Sequence, residues 1–276
     1  MERVVLGYDG SRSAEAALEW TAERARRARV DLDVVLVTNM FLADRVRADR
    51  VLETAARRWH DLAPESPASV VRLDGLLPAT LASAARGADL LVLGMPSGSR
   101  SRTAAGGWMP LRAALQAGVP TVLVPTGWAV VDDPVVVGVD DDDSSLAALL
   151  FGAAEASAAE VSLCVLHAWL MGAPRATAVF VPPPSPRRTA DTHAHVLDAA
   201  VDRVHNEFPS LSVTADLVRD NPTSALTRAA ARSSMIVIGS HGRGVVAGSL
   251  LGSVGSDLVG RLARPICVVP PHAPGG

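Results

Sequence analysis

The chain has 276 residues, 49% of them hydrophobic, with 22 glycines and 19 prolines: enough apolar material for a large core, in a composition neither disordered nor collagen-like. A formal charge of −3 offers no cationic footprint for nucleic acid, and the complete lack of lysine excludes a Walker-type phosphate site. Only Cys164 and Cys267 occur, both in apolar runs, which predicts reduced thiols; no signal peptide or membrane-length apolar window is legible, so a cytoplasmic protein with no membrane partner is expected.

In chain order, RVVLGYDGS (Arg3 to Ser11) is a β-branched run closed by a glycine, one further residue and Asp9, which predicts a buried strand. Ala14, Ala17, Leu18, Thr21 and Ala25 follow at helical spacing, DVVLVTN predicts a second strand near 33–39, ADLLVLG ends at Gly94, and Pro120 introduces the closing strand TVLVP. TGWAVVDDP, Thr126 to Pro134, reads as a linker. The pattern then begins again. VVVGVDDDDS, Val135 to Ser144, places Asp140 where Asp9 stood, and Leu146, Leu149, Leu150, Ala153 and Ser157 predict the next helix face. SLCVLHAW near 162–169 is the second strand of this copy, SSMIVIG ends at Gly239, and PICVVP begins at Pro265, as far from Gly239 as Pro120 is from Gly94. An insertion, MGAPRATAVFVPPPSPRR at 171–188, is too rich in proline for a regular element; it reads as a surface loop, or alternatively as a lid over a ligand.

Two copies of an alternating strand-helix pattern with continuously apolar strands predict two tandem α/β domains built on parallel sheets, one over 1–127 and one over 133–276. In such sheets ligands bind beyond the carboxyl ends of strands. The second copy places Asp140 past its first strand and six glycines, between Gly239 and Gly255, past its fourth. If those strands are neighbours, both features face one crevice. Glycine loops there let backbone N–H groups approach an anion, with no need of lysine. GRGVVA at 242–247 also fits a dinucleotide fingerprint, but the next strand, ICVVP, carries no acidic residue at its end, so that match is set aside.

The wider spacing G-x2-G-x9-G-S, formed by Gly239, Gly242, Gly252 and Ser253, resembles the nucleotide loop of the universal stress proteins, and together with Asp140 the resemblance runs over nearly the whole chain as two tandem copies. It implies an open five-stranded sheet in each copy with strand order 3-2-1-4-5, helices on both faces, and a pseudo-twofold between copies whose closing strands pair edge to edge. It further implies an ATP-binding protein, with Mg²⁺ arriving on the phosphates. Carried onto this sequence, Asp140 meets the adenine, Ala168 offers backbone to the base, and Gly239, Gly242, Gly252 and Ser253 hold the phosphates. Arg243 adds charge there or is simply solvated. The first copy departs from the pattern: Ser97 replaces the second glycine and Trp108 the phosphate-binding serine, so weak or no ATP binding is expected despite Asp9, with Gly98 leaving a distorted site as the alternative.

The remaining polar clusters have plainer readings. Asp141 to Asp143 open a helix as a solvated turn rather than a metal site. His193, His195 and His205 lack ligand partners at zinc spacing and read as surface residues, while His167 in a strand satisfies a local hydrogen bond and His241 orients the glycine loop. Ser253, His241 and Asp140 have no nucleophile elbow around them, so no catalytic residue is assigned. The expected function is that of an ATP-binding stress regulator or sensor, possible as a homodimer; the alternatives are a slow ATPase or nucleotide-dependent transferase, and a scaffold that binds no nucleotide.

Overall fold

The computed structural model describes residues 1–38, 42–96, 105–170, 186–240, 258 and 263–271. In the first half, β1 (Glu2–Gly7), α1 (Arg12–Ala25), β2 (Val30–Thr38), α2 (Leu42–Leu62), β3 (Ala68–Asp74), α3 (Ala79–Ala84), β4 (Leu90–Met95), α4 (Ala105–Ala117) and β5 (Thr121–Pro125) follow one another. The second half repeats the order with β6 (Val135–Gly138), α5 (Asp143–Ala158), β7 (Leu163–Ala168), α6 (Pro186–Glu207), β8 (Val213–Val218), α7 (Pro222–Ala230), β9 (Met235–Gly239) and β10 (Ile266–Val269).

The strands form one ten-stranded sheet, ordered β3-β2-β1-β4-β5-β10-β9-β6-β7-β8. Each half therefore has the order 3-2-1-4-5, parallel throughout, as the resemblance implied. The closing strands pair antiparallel, Ile266 against Leu123 and Val268 against Thr121. The β-branched runs explain the central strands: Val4, Val5 and Leu6 are fully buried, one face of the sheet under each helical layer, and each such side chain contributes about 1.5–3 kcal/mol by leaving water. One core cluster joins α1, α2, α5 and α6 over one face, and a second joins α3, α4 and α7 over the other. The edge strands are more exposed, and Arg72 on β3 and Asp216 on β8 put charge where another chain could otherwise add.

Caps set the helix starts. Ser11 accepts the Ala14 N–H at the start of α1, Asp142 accepts the Ser145 N–H at the start of α5, and Asn221 accepts from Thr223 ahead of α7, whose first residue is Pro222. The predicted face of α1 is buried at Ala14, Ala17, Leu18 and Thr21. The predicted face of α5 is rotated: Leu146 is 45% exposed and Ser157 is exposed, while Ala148, Leu149, Gly152, Ala153 and Ala156 face inward. Gly152 causes this, because a Cβ there would lie 2.2 Å from Val137 Cγ2; α5 lies on the sheet through its smallest side chains.

One ion-pair cluster spans the seam between the halves. Arg24 near the end of α1 donates through Nε and one terminal nitrogen to Glu2, both at 2.8 Å, and through the other to Glu155 of α5 at 2.5 Å. Burial alone would lower the Arg24 pKa, but Glu155 and Glu2 outweigh it and hold the guanidinium charged.

Candidate functional site

The register brings the expected site residues of the second half to one edge. Gly138 lies between Leu166 of β7 and Ile238 of β9, so Asp140, Ala168 and Gly239 all stand at the carboxyl tips of three adjacent strands. Strands one and four of the copy are neighbours, which is the condition the sequence reading required. Gly242, Arg243, Gly252 and Ser253 lie outside the described residues, as do Ser97 and His241.

The turn after β6 satisfies its own backbone. The Asp140 N–H donates to Ser145 Oγ at 2.9 Å, the Asp141 N–H donates to Asp140 Oδ1 at 2.9 Å, and the Asp142 N–H donates to the Asp140 carbonyl at 3.0 Å. Asp142 Oδ1 accepts from both the Ser144 hydroxyl and the Ser145 N–H, each at 2.8 Å. Asp140 keeps one carboxylate oxygen without a partner among the described residues, half-buried at the crevice. An acceptor so placed can take a hydrogen bond from an amine or hydroxyl of a ligand.

Gly239 has a packing duty. A Cβ on it would lie 2.3 Å from Ser144 Oγ, and the matching Gly94 of the first half would meet the Ser13 carbonyl oxygen at 2.1 Å. In both halves the glycine at the carboxyl end of the fourth strand, last in β9 and next to last in β4, lets the N-terminus of the first helix approach the strand tips. Ser144 and Ser145, 2% and 7% exposed, are the parts of this turn that the sequence reading left out; the legible signal was the serine pair after an acidic cap.

The first half has a cleft of about 90 Å³ at the equivalent tips, lined by Tyr8, Asp9, Ser13, Val37, Leu81 and Gly94. Pockets for small organic ligands usually run to about 300 Å³ or more. Tyr8 is buried and donates to Glu15, and burial together with that bond raises the phenol pKa. Asp9 Oδ1 accepts the Ser11 N–H at 2.9 Å, a different turn from that at Asp140.

Of the histidines, His167 makes its local bond, to the Val139 carbonyl at 2.7 Å, as expected. His193 does not sit free on the surface: its Nδ1 lies 2.7 Å from His167 Nε2 and its ring stacks on Trp169. α6 packs on β7 and carries His193 inward, while His195 and His205 are exposed. Among the described residues no cluster of three or more metal-ligating side chains occurs, and no helix is long and apolar enough to cross a membrane. Burial and the nearby Asp216 push the Cys164 thiol up to about 11, and burial raises Cys267 well above the usual thiol range.

Two doubly wound halves joined through their fifth strands, each with its first and fourth strands side by side, define a tandem α/β protein, and in open parallel sheets of this kind ligands bind beyond the carboxyl ends of the strands. The chain belongs to the universal stress protein family, whose model matches residues 1–125 and 133–270. It is 27% identical to the Mycobacterium tuberculosis universal stress proteins Rv2005c, over 96% of both chains, and Rv2623, over 96% of this chain and 95% of that one. A universal stress protein from Archaeoglobus fulgidus has the same fold across 98% of both chains, with a TM-score of 0.75 at 18% identity.

Proposed function

We propose that the second half binds ATP and that the protein serves as a nucleotide-responsive regulator or sensor in a stress response. The observation that carries this reading is the convergence of Asp140, Ala168 and Gly239 at adjacent strand tips, directly before the glycine-rich stretch that ends in Gly252 and Ser253. In this reading Asp140 accepts from the exocyclic amine of adenine, Ala168 presents backbone to the base, and the amides of Gly242 and Gly252 with the Ser253 hydroxyl donate to phosphate oxygens that carry Mg²⁺. Arg243 supports the phosphates from the same stretch. Bound nucleotide then favours whichever conformation or partner contact prefers it. The small first-half cleft and Trp108 in place of a serine support assigning the nucleotide to the second half.

Calorimetry with ATP and Mg²⁺ on the wild type, Gly252→Glu and Asp9→Ala tests this. Gly252→Glu puts a carboxylate against the phosphates and is expected to weaken binding at least about tenfold, whereas Asp9→Ala leaves it unchanged. Equal affinity of wild type and Gly252→Glu overturns the assignment.

A further inference from the structure

Tyr8, the only tyrosine of the chain, lines two cavities of the first half. One is the small cleft at the strand tips, shared with Asp9 and Gly94. The other, of about 440 Å³, is open to solvent and lies where the end of β1 and the start of α1 meet α2, on the face of the sheet that those two helices cover. It is large enough for a small organic ligand, which needs about 300 Å³ or more. From α2 come Arg47, Arg50 and Thr54; from β1 and α1 come Tyr8, Gly10 and Glu15. Gly10, at φ +77°, brings the turn against α2 with no side chain between them, since a Cβ there would lie 3.1 Å from Val51 Cγ1.

The charges of this lining are left partly unmatched. Arg47 and Arg50 are exposed, stand one turn apart on the same face of α2, and make no ion pair among the described residues. Asp49, which lies between them in sequence, is taken by Arg72 of β3. Glu15 accepts from the buried Tyr8 hydroxyl through Oε1, and its other oxygen has no partner among the described residues. The Thr54 hydroxyl is spent on the Arg50 carbonyl at 2.9 Å. Two guanidiniums and one carboxylate give the lining one net positive charge. The second half does not repeat this arrangement: counted from the aligned Asp9 and Asp140, Val139 replaces Tyr8 and Leu146, 45% exposed, replaces Glu15.

We propose that this cavity is a second ligand site, confined to the first half, for a small zwitterion of net charge −1: a phosphate or a pair of carboxylates against Arg47 and Arg50, and an ammonium against Glu15. Guanidinium groups suit both kinds of anion because their N–H donors pair two at a time with carboxylate or phosphate oxygens. The free oxygen of Glu15 accepts from the ammonium, while Tyr8 holds the carboxylate in place through the other. The site stands on the α1–α2 side of Tyr8, apart from the strand-tip crevices, and does not depend on the nucleotide reading of the second half.

A single tyrosine makes the test direct, because ring-¹³C-labelled tyrosine reports on this cavity alone. The full chain is titrated with phosphoethanolamine, with L-glutamate, and with inorganic phosphate as an anion that lacks the ammonium. At least one zwitterion should shift the Tyr8 resonances and saturate below about 10 mM, and the tighter of the two tells whether the anion is a phosphate or a carboxylate pair. Inorganic phosphate should bind at least about tenfold more weakly, and Glu15→Gln should remove that preference, since glutamine still accepts from Tyr8 but carries no charge for an ammonium. Arg47→Gln/Arg50→Gln alters two exposed side chains and should abolish the shift with the fold intact. No saturating shift with either zwitterion overturns the site, as does an affinity unchanged in the double variant. Equal affinity for phosphate and both zwitterions, or a preference that survives Glu15→Gln, overturns the assignment of the ammonium.

Discussion

The two halves share a backbone plan and differ in what stands at the strand tips. Gly94 and Gly239 stand at equivalent positions near the carboxyl ends of their strands, and both are required by the close approach of the first helix, so this glycine belongs to the fold. Asp9 and Asp140 are equivalent in position, yet each sits in a turn with its own hydrogen bonds. Tyr8 puts a phenol at the first tip where Val139 stands in the second, and Leu36 stands where His167 bonds to the Val139 carbonyl. The comparison teaches that a repeated glycine at a strand end testifies to packing, and that specificity for a ligand has to be sought in the residues that were not kept alike.

The largest expected effect tests the packing side of that comparison. In Gly94→Ala the new methyl meets backbone atoms of Ser13 that cannot move away, and we expect a loss of about 3 kcal/mol or more in urea unfolding. In Gly239→Ala it meets the Ser144 hydroxyl at 2.3 Å, which can rotate, but the Ser144 backbone carbon only at 2.9 Å, against 2.2 Å for that of Ser13 at Gly94, so a smaller loss of about 1–3 kcal/mol is expected. Equal losses would show that the two helix starts are equally rigid and erase the distinction.

Next in size is the seam. Arg24 and Glu155 occupy matching positions of the two halves, one in α1 and one in α5, and meet across the pseudo-twofold with side chains 17% and 12% exposed. Arg24→Met leaves Glu155 and Glu2 facing each other without their cation; allowing for partial exposure, the expected cost is about 2 kcal/mol, read from the same unfolding curves. Unfolding that then splits into two transitions would show the halves to be separable units, whereas a single shifted transition would show that β5 and β10 still couple them.

The smallest effect is chemical. Both thiols lie in the second half, Cys164 on β7 and Cys267 on β10, and both have raised pKa values in the folded state. A thiol whose folded pKa lies above its unfolded value supports the fold fully below the unfolded value and progressively less as pH climbs toward the folded one. Stability should therefore decline above about pH 8.5, and for Cys164 the decline continues to about 11. Alkylation of the native chain is expected to be slow and to reach Cys164 before Cys267, which is fully buried at the seam. The reverse order would mean that the seam opens before the outer strands.

Much of this was legible in the sequence because it is local or repeated. Continuous β-branched runs gave the strands, the doubled Gly-x-Asp gave the two copies, and the family resemblance, rather than the runs themselves, implied the pairing of β5 with β10. The inward face of α5 was misjudged because hydrophobic periodicity favours Leu146 and Leu150, whereas the close approach at Gly152 selects the smallest side chains. Contacts between residues far apart were illegible: nothing in THAH indicates that His193 reaches His167 across the proline-rich insertion, and nothing near Arg24 points to Glu155. The two serines after the acidic cap were legible as a turn, but their burial and the bond from the Asp140 N–H to Ser145 depend on the packing of α5 against the strand tips.

The antiparallel join of β5 to β10 has a further consequence. Since each half is internally parallel, reversing direction at the middle sends the two sets of strand tips out through opposite rims of the molecule. Occupants of the two rims are separated by the full length of the strands and have no common boundary. The β5–β10 ladder and the Arg24–Glu155 pair join the halves that carry those rims.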